Sequence, residues 1–275
     1  MIPANSSRAL SIHWGIVRIP LYQIDAFTGC LFAGNPAAVC PLKEWLEDQQ
    51  LQAIAAENNL SETAFFVPRG EGYQLRWFTP ALEVDLCGHA TLASAFVILN
   101  YLEPGRPAVR FETRSGTLVV ERDGELLSMD FPARPPRRCQ IPADLVEALG
   151  AAPLELWEAR DYLAVYHAEE DIRALAPNMR ALASVGHFAV IVTAPSLQAD
   201  FVSRFFAPAA GVPEDPVTGS AHCTLVPYWA KRLGKTQLHA WQVSARGGEL
   251  WCRQRGDRVT IAGRALRYLE GAIYL

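Results

Sequence analysis

The sequence is short of most features that place a chain quickly. Its six cysteines, Cys30, Cys40, Cys87, Cys139, Cys223 and Cys252, are dispersed and form no CxxC pair. A chain of 275 residues buries enough surface without staples, so this spacing excludes a disulfide scaffold and predicts reduced thiols. No stretch approaches the roughly 20 apolar residues of a membrane span. The opening "MIPANSSRALSIHWGIVRIP" has no clean apolar core followed by a small-residue cleavage site. These absences predict a cytoplasmic protein with no membrane partner, in which residues 1–19 extend outside the fold. Lys and Arg total 25 against 29 Asp and Glu, a formal net charge of -4, and no long basic run occurs. Nucleic acid is thereby excluded as a partner and a small molecule favoured. The GxGxxG dinucleotide fingerprint and the GxSxG nucleophile elbow are both missing, so no cofactor is expected.

What is present is a pattern that occurs twice. "RWFTP" at 76–80 matches "RFFAP" at 204–208, and each is followed by a glycine, Gly88 or Gly219, that opens an apolar run, with three extra residues in the second copy. Upstream, "TAFFVPR" at 63–69 corresponds to "HFAVIVT" at 187–193. Downstream, Asp123-Gly124 and Gly256-Asp257 each sit between alternating apolar runs, a tight-hairpin signature. Several matches in one order indicate a duplication. The expected halves are 20–133 and 134–275, joined through the Pro-rich "FPARPPRRCQIPADL" at 131–145, with the final strand returning to the first half.

The runs at 88–102 and 219–233 read as helices. The first is apolar nearly all round and must be enclosed, whereas the second carries Pro227 and stops at Gly234, a typical C-terminal cap. With strands before and after each helix, the class is α+β: two pseudo-symmetric halves, each a curved, mostly antiparallel sheet or barrel around a central helix. A helix start presents unpaired N–H groups and the positive end of its dipole. Gly88 and Gly219 would let a substrate carboxylate approach closely, with Ser220 adding a hydroxyl and His89 a proton or hydrogen bond. Asp85 and Asp215, just upstream, suit caps or substrate contacts equally. His222 and Cys223 lie deeper and read as packing. Cys87, His89, His222 and Cys223 match no structural zinc spacing, and a helix start repels cations, so no metal is expected.

Glu62, in "NLSETAFFV", stands at the mouth of an apolar β-run, where desolvation would favour its protonated form and suit it to carry a proton near neutral pH. A plain edge-strand or capping role fits the same position.

Together "DAFTGCLFAGNPAAV" (25–39), "NLSETAFFV" (59–67), "DLCGHATLASAFV" (85–97) and "GVPEDPVTGSAHCTL" (211–225) resemble the PhzF-like phenazine biosynthesis family, which is related to diaminopimelate epimerase. The resemblance implies pseudo-symmetric halves with the active site between them, no cofactor or metal, a homodimer, and isomerase chemistry on a small carboxylic or amino acid. It places the catalytic glutamate on Glu62, the substrate-binding histidine on His89, and the binding Asp and Ser on Asp215 and Ser220, with Asn35 near the cleft. Two-thiol epimerases of the related type carry a cysteine before each glycine. Here Cys87 precedes Gly88 but Thr218 precedes Gly219, and a hydroxyl cannot replace a thiol as base. A one-thiol epimerase using Glu62 and Cys87, or a binder without turnover, remain the alternatives to a one-base isomerase.

Overall fold

The computed structural model describes residues 17–275. Most of the extension expected at 1–19 lies outside these residues, and its last two already belong to a strand. The first half contains β1 (Arg18–Ala26), β2 (Asn35–Pro41), β3 (Glu62–Arg69), β4 (Gly72–Phe78), β5 (Glu83–Val84), β6 (Ala108–Thr113), β7 (Gly116–Asp123) and β8 (Leu126–Pro132), with helices α1 (Asp48–Asn58) and α2 (Gly88–Val97). The second half contains β9 (Arg137–Cys139), β10 (Glu155–Glu158), β11 (Tyr162–Val165), β12 (Val190–Pro195), β13 (Phe201–Ala207), β14 (Val212–Asp215), β15 (Gln237–Gln242), β16 (Gly248–Arg255) and β17 (Arg258–Gly263), with α3 (Ala143–Leu149), α4 (Glu169–Ala174), α5 (Met179–Leu182) and α6 (Gly219–Leu233). β18 (Ala265–Tyr274) closes the chain.

Strand pairing shows the duplication directly. One half runs β18-β1-β2-β3-β4-β6-β7-β8 and the other β9-β10-β11-β12-β13-β15-β16-β17. The third and fifth pairings in these orders, β2 with β3 and β4 with β6, are parallel, as are β11 with β12 and β13 with β15. The chain crosses over twice: β8 leads into the second half, and β18 returns to pair with β1. β8 and β17 pair with each other and join the two sheets. The Pro-rich crossing at 131–145 thus carries strand β9 as well as linker.

Register corrects the sequence alignment in one place. Phe65 faces Arg76 and Val192 faces Arg204, so the residue equivalent to Glu62 is Ala189; the match of 63–69 to 187–193 is three residues out. The arginines themselves are equivalent down to their contacts. Arg76 holds Glu83 through Nε and Nη2 (2.7 and 2.8 Å) and lies over Phe78, while Arg204 holds Glu214 in the same way (2.8 and 3.0 Å) over Phe206. Such two-point pairs fix the orientation of the short strands β5 and β14, which lead into the helix starts.

Both central helices are largely buried: α2 has no polar face, and α6 exposes only its last turn, Lys231, Arg232 and Leu233. In α2 every residue except Gly88 and Phe96 is buried, and Thr91 and Ser94 satisfy their hydroxyls on the carbonyls of Cys87 and Ala90 (2.5 and 2.7 Å). Beyond Val97 the helix widens into a π turn, Ile98–Leu102, so the predicted helix ends as a regular α-helix earlier than 102. α6 spans the expected residues, contains Pro227 and ends on Gly234 in the left-handed conformation (φ 68). One apolar core, including Leu92, Val97, Phe111, Leu225, Trp229 and Val259, runs through both halves. Each fully buried side chain of this size contributes about 1.5–3 kcal/mol of transfer free energy. Trp77, Phe78, Phe205 and Phe206, the aromatic residues that follow the two arginines, are all core. Among the described residues no helix is long and apolar enough to cross a membrane.

Candidate active site

The helix starts meet. A Cβ built on Gly88 would lie 3.7 Å from the Gly219 Cα, and one on Gly219 would lie 3.8 Å from the Gly88 Cα. Side chains at either position would fill the space between the two first turns. The preceding residues, Cys87 and Thr218, are extended (φ -142, ψ 109 and φ -118, ψ 98), and neither caps its helix with a side chain. The first-turn N–H groups of both helices therefore keep their hydrogen-bonding capacity and dipole potential for an anion.

Four predicted residues gather beside these starts. Glu62 opens β3, His89 follows Gly88, Asn35 opens β2 and Asp215 ends β14. His89 Nε2 lies 3.0 Å from Glu62 Oε2, as an ion contact rather than an aligned hydrogen bond, since both atoms are buried without a hydrogen-bond partner. The Asn35 amide donates to Asp215 Oδ1 (2.8 Å) and to the Val217 carbonyl (2.9 Å). Those bonds use both amide hydrogens, so the His89 Nδ1 contact at 3.2 Å is proximity only, and Asn35 Oδ1 is buried and unpartnered. Glu62 Oε2, His89 Nε2 and Asn35 Oδ1 are thus buried polar atoms with unspent hydrogen-bonding capacity, open to a ligand or to ordered water.

Burial and neighbours set the charges. Burial pushes the Asp215 carboxyl up to about 6; the His89 charge pulls it down, Glu62 raises it, and the Thr218 hydroxyl and Asn35 amide it accepts from pull it down again. Burial works against the His89 imidazolium, yet His89 is held well above its usual range because the adjacent Cys87 and Glu62 outweigh that cost. The Cys87 thiol is itself pushed up to about 11, chiefly by burial, so at neutral pH it is protonated.

Supporting contacts fix this group from both halves. The Thr218 hydroxyl donates to Asp215, and Gln242, fully buried, receives the Thr218 N–H (2.8 Å) and donates to the Asp215 carbonyl (2.8 Å). On the other side, the 27–34 loop turns through left-handed Phe27, Phe32 and Gly34 (φ 62, 66 and 67) to deliver Asn35. Arg246 clamps that loop: Nε donates to the Gly34 carbonyl (2.8 Å), and Nη2 to the Ala33 carbonyl (3.0 Å) and buried Asp25 (2.9 Å). Gln242 and Arg246 were missed from the sequence because nothing local marks them: they act through contacts between segments tens to hundreds of residues apart.

The remaining predicted residues fall as follows. Ser220 is in the first turn of α6, where its hydroxyl accepts from Arg160 (3.3 Å) and makes no contact with Glu62 or His89. Asp85 is exposed and outside the group; strand register pairs Trp77 with Val84 and Phe205 with Asp215, so the counterpart of Asp215 is Val84. His222 and Cys223 are buried, with His222 Nδ1 on the Thr218 carbonyl (2.9 Å) and burial pushing the imidazole down to about 4.

Glu62, Cys87 and His89 could each offer one ligand atom to a metal, within 4.8 Å of one another. The fit is poor, because Glu62 approaches His89 at Nε2 and Cys87 approaches it at Nδ1 (3.5 Å). One ion cannot take a ring nitrogen together with both neighbours unless the ring turns, and the site lies at a positive helix end.

Residues 24–271 match the family described as phenazine biosynthesis-like protein. A Pseudomonas aeruginosa protein named as an uncharacterized isomerase is 55% identical over 259 residues, covering 94% of this chain and all of its own. A crystal structure of a PhzF family phenazine biosynthesis protein from Enterococcus faecalis superposes with a TM-score of 0.93 at 46% identity, covering 94% of this chain and 100% of that one. A hydroxyproline epimerase from Agrobacterium vitis shares the fold, with a TM-score of 0.61 at 11% identity over 94% of this chain and 93% of its own. This chain belongs to the phenazine biosynthesis-like (PhzF) family, and it is an isomerase built on the fold of the epimerases.

Proposed function

We propose that the protein moves a proton within a small carboxylic or amino acid by one-base chemistry, with Glu62 as general base and acid. The observation that carries this reading is the meeting of Glu62 and His89 from the first half with Asp215 from the second, beside two abutting helix starts. The substrate carboxylate sits between Gly88 and Gly219, on first-turn N–H groups that include those of His89 and Ser220. Withdrawal of charge from that carboxylate acidifies the adjacent carbon. Glu62 takes its proton, the C–H electron pair shifts into the neighbouring π system, and Glu62 returns the proton to another carbon on the same face. The His89 imidazolium stabilises the Glu62 carboxylate before the transfer and the developing negative charge during it. Asp215, held by Asn35 and Thr218, receives a substrate amino or hydroxyl group.

Asymmetry between the halves favours one base over two. The position equivalent to Glu62 is Ala189, and the position equivalent to Cys87 is Thr218. Cys87 lies 3.5 Å from His89 Nδ1, which supports a second reading, an epimerase that protonates the opposite face from this thiol. Its protonated state at neutral pH suits it as an acid and not as a base.

The test is incubation of candidate amino and hydroxy acids in heavy water, followed by NMR for product and for deuterium at the receiving carbon. Glu62→Gln should lower turnover at least about a hundredfold, the low end for loss of a general acid–base group, while Cys87→Ala keeps it. Loss of turnover in both variants supports the thiol reading. Binding with neither product nor exchange across the panel would leave a binder without catalysis.

A further inference from the structure

The second residue of each central helix is attended by a residue at the start of a neighbouring strand. In the first half Asn35, opening β2, approaches His89. In the second half Arg160, two residues before β11, reaches Ser220. The positions correspond to within one residue, since Ala38 faces Thr63 across β2 and β3 as Tyr162 faces Val190 across β11 and β12. The chemistry differs. Asn35 is neutral and spends both amide hydrogens on Asp215 and Val217. Arg160 is a cation with five N–H hydrogens, of which it spends three.

Those three fix the guanidinium in place. Nε and Nη2 form a two-point pair with Asp161 (2.9 and 2.8 Å), whose side chain is fully buried, and Nη2 also donates to Ser220 Oγ (3.3 Å). The Phe188 ring lies under the guanidinium carbon at 4.8 Å. Both Nη1 hydrogens remain, without an acceptor among the described residues, on a side chain that is 36% exposed. Because Ser220 Oγ accepts from Arg160, its own hydrogen is turned away from the guanidinium and is free to donate. The N–H groups of Gly88, His89, Gly219 and Ser220 already suffice for both oxygens of one carboxylate. The Nη1 pair is in excess of that need, and it lies beside the Ser220 hydroxyl, which can turn its hydrogen to the same anion.

We propose that Arg160 and Ser220 form a second anion subsite on the α6 side of the cleft, so that the preferred substrates carry two acidic groups. Asp161 offsets the charge of Arg160, so the subsite works through directed N–H and O–H donors on a preorganised frame rather than through net charge. The proposal rests on the seating of the first carboxylate between Gly88 and Gly219, and the experiment separates the two. Binding is measured by amide NMR titration with matched probes: L-glutamate against L-norvaline, and succinate against butyrate. In the wild-type protein the diacids should bind at least tenfold more tightly than the monoacids, and all should shift the Gly88 and Gly219 amides. Arg160→Met should erase the gap by weakening the diacids alone. Should that variant fail to fold because it strands buried Asp161, Arg160→Lys keeps a cation there without the second nitrogen and should narrow the gap in the same way. Equal binding in wild type, a gap that survives substitution, or a uniform loss for all four probes would overturn the proposal. Failure of every probe to shift the Gly88 and Gly219 amides would overturn the first seat, and this subsite with it.

Discussion

Replacing Asp215 with asparagine should stabilise the protein as the pH rises while removing its activity. The carboxyl is raised from 3.8 to about 6, chiefly by burial. Between those values the folded state binds a proton that the unfolded state has released, so this group lowers stability as the pH climbs through the window, and the full cost is present above it. At about 1.4 kcal/mol per unit, a shift of roughly two units costs about 3 kcal/mol at neutral pH. Asparagine removes that cost. It keeps an acceptor for the Asn35 amide but forces the Thr218 hydroxyl to turn from donor to acceptor, a loss of about 1 kcal/mol for a disturbed hydrogen bond. The net gain at pH 7.5 is about 2 kcal/mol, and it should vanish or reverse by pH 4. Urea unfolding of both proteins at half-unit steps from pH 4 to 7.5 reads this difference directly. A stability difference that does not change with pH would refute the reasoning, because it would mean that Asp215 titrates alike in the folded and unfolded chains.

Alanine at Gly88 or at Gly219 should be tolerated by the fold, since each new Cβ meets the facing Cα at ordinary contact distance and alanine favours the helix by up to about 1 kcal/mol. Each should raise KM at least tenfold with melting temperature unchanged or higher, whereas the double variant, which sets two methyls against each other, should melt lower. Arg246→Lys keeps a charge beside Asp25 but cannot make all three bonds to the 27–34 loop; kcat should fall several-fold as Asn35 loosens, with unfolding by urea changed by less than about 2 kcal/mol. His89→Gln removes the cation beside Glu62, and kcat should drop by more than tenfold while the pH profile of kcat/KM moves on its acidic limb.

The glycine opening each helix, the repeated Arg-aromatic strand and the Asp-Gly and Gly-Asp hairpins were legible as sequence because they are local: each needs only its neighbours to declare a conformation. Their order then gave the duplication and, with it, the convergence of two helix starts. Glu62 stood out at the mouth of an apolar strand, but only resemblance favoured a catalytic role over a plain edge-strand one, because a glutamate at the head of a strand looks alike whether its carboxylate faces solvent or a histidine. The two aspartates show the limit most clearly. Asp85 stands three residues before Gly88 and Asp215 four before Gly219, and along a strand one residue reverses the face. Spacing could have separated them only with the pairing of Val84 and Asp215 to β4 and β13 in hand. Arg160, Gln242 and Arg246 carry no such local mark, since their roles arise from crossovers that bring β11, β15 and the 243–247 segment against the helix starts.

The central claim is geometric: an acid held between two helix starts, presented to one carboxylate. The most direct measurement is a crystal structure of the Glu62→Gln protein grown with a carboxylic acid substrate or analogue at neutral pH. The account predicts carboxylate oxygens within hydrogen-bond distance of the Gly88, His89, Gly219 and Ser220 amides, with a carbon next to that carboxylate facing residue 62. An acid bound elsewhere on the molecule, or bound between the glycines with its reactive carbons turned toward Thr218 and away from residue 62, would contradict it.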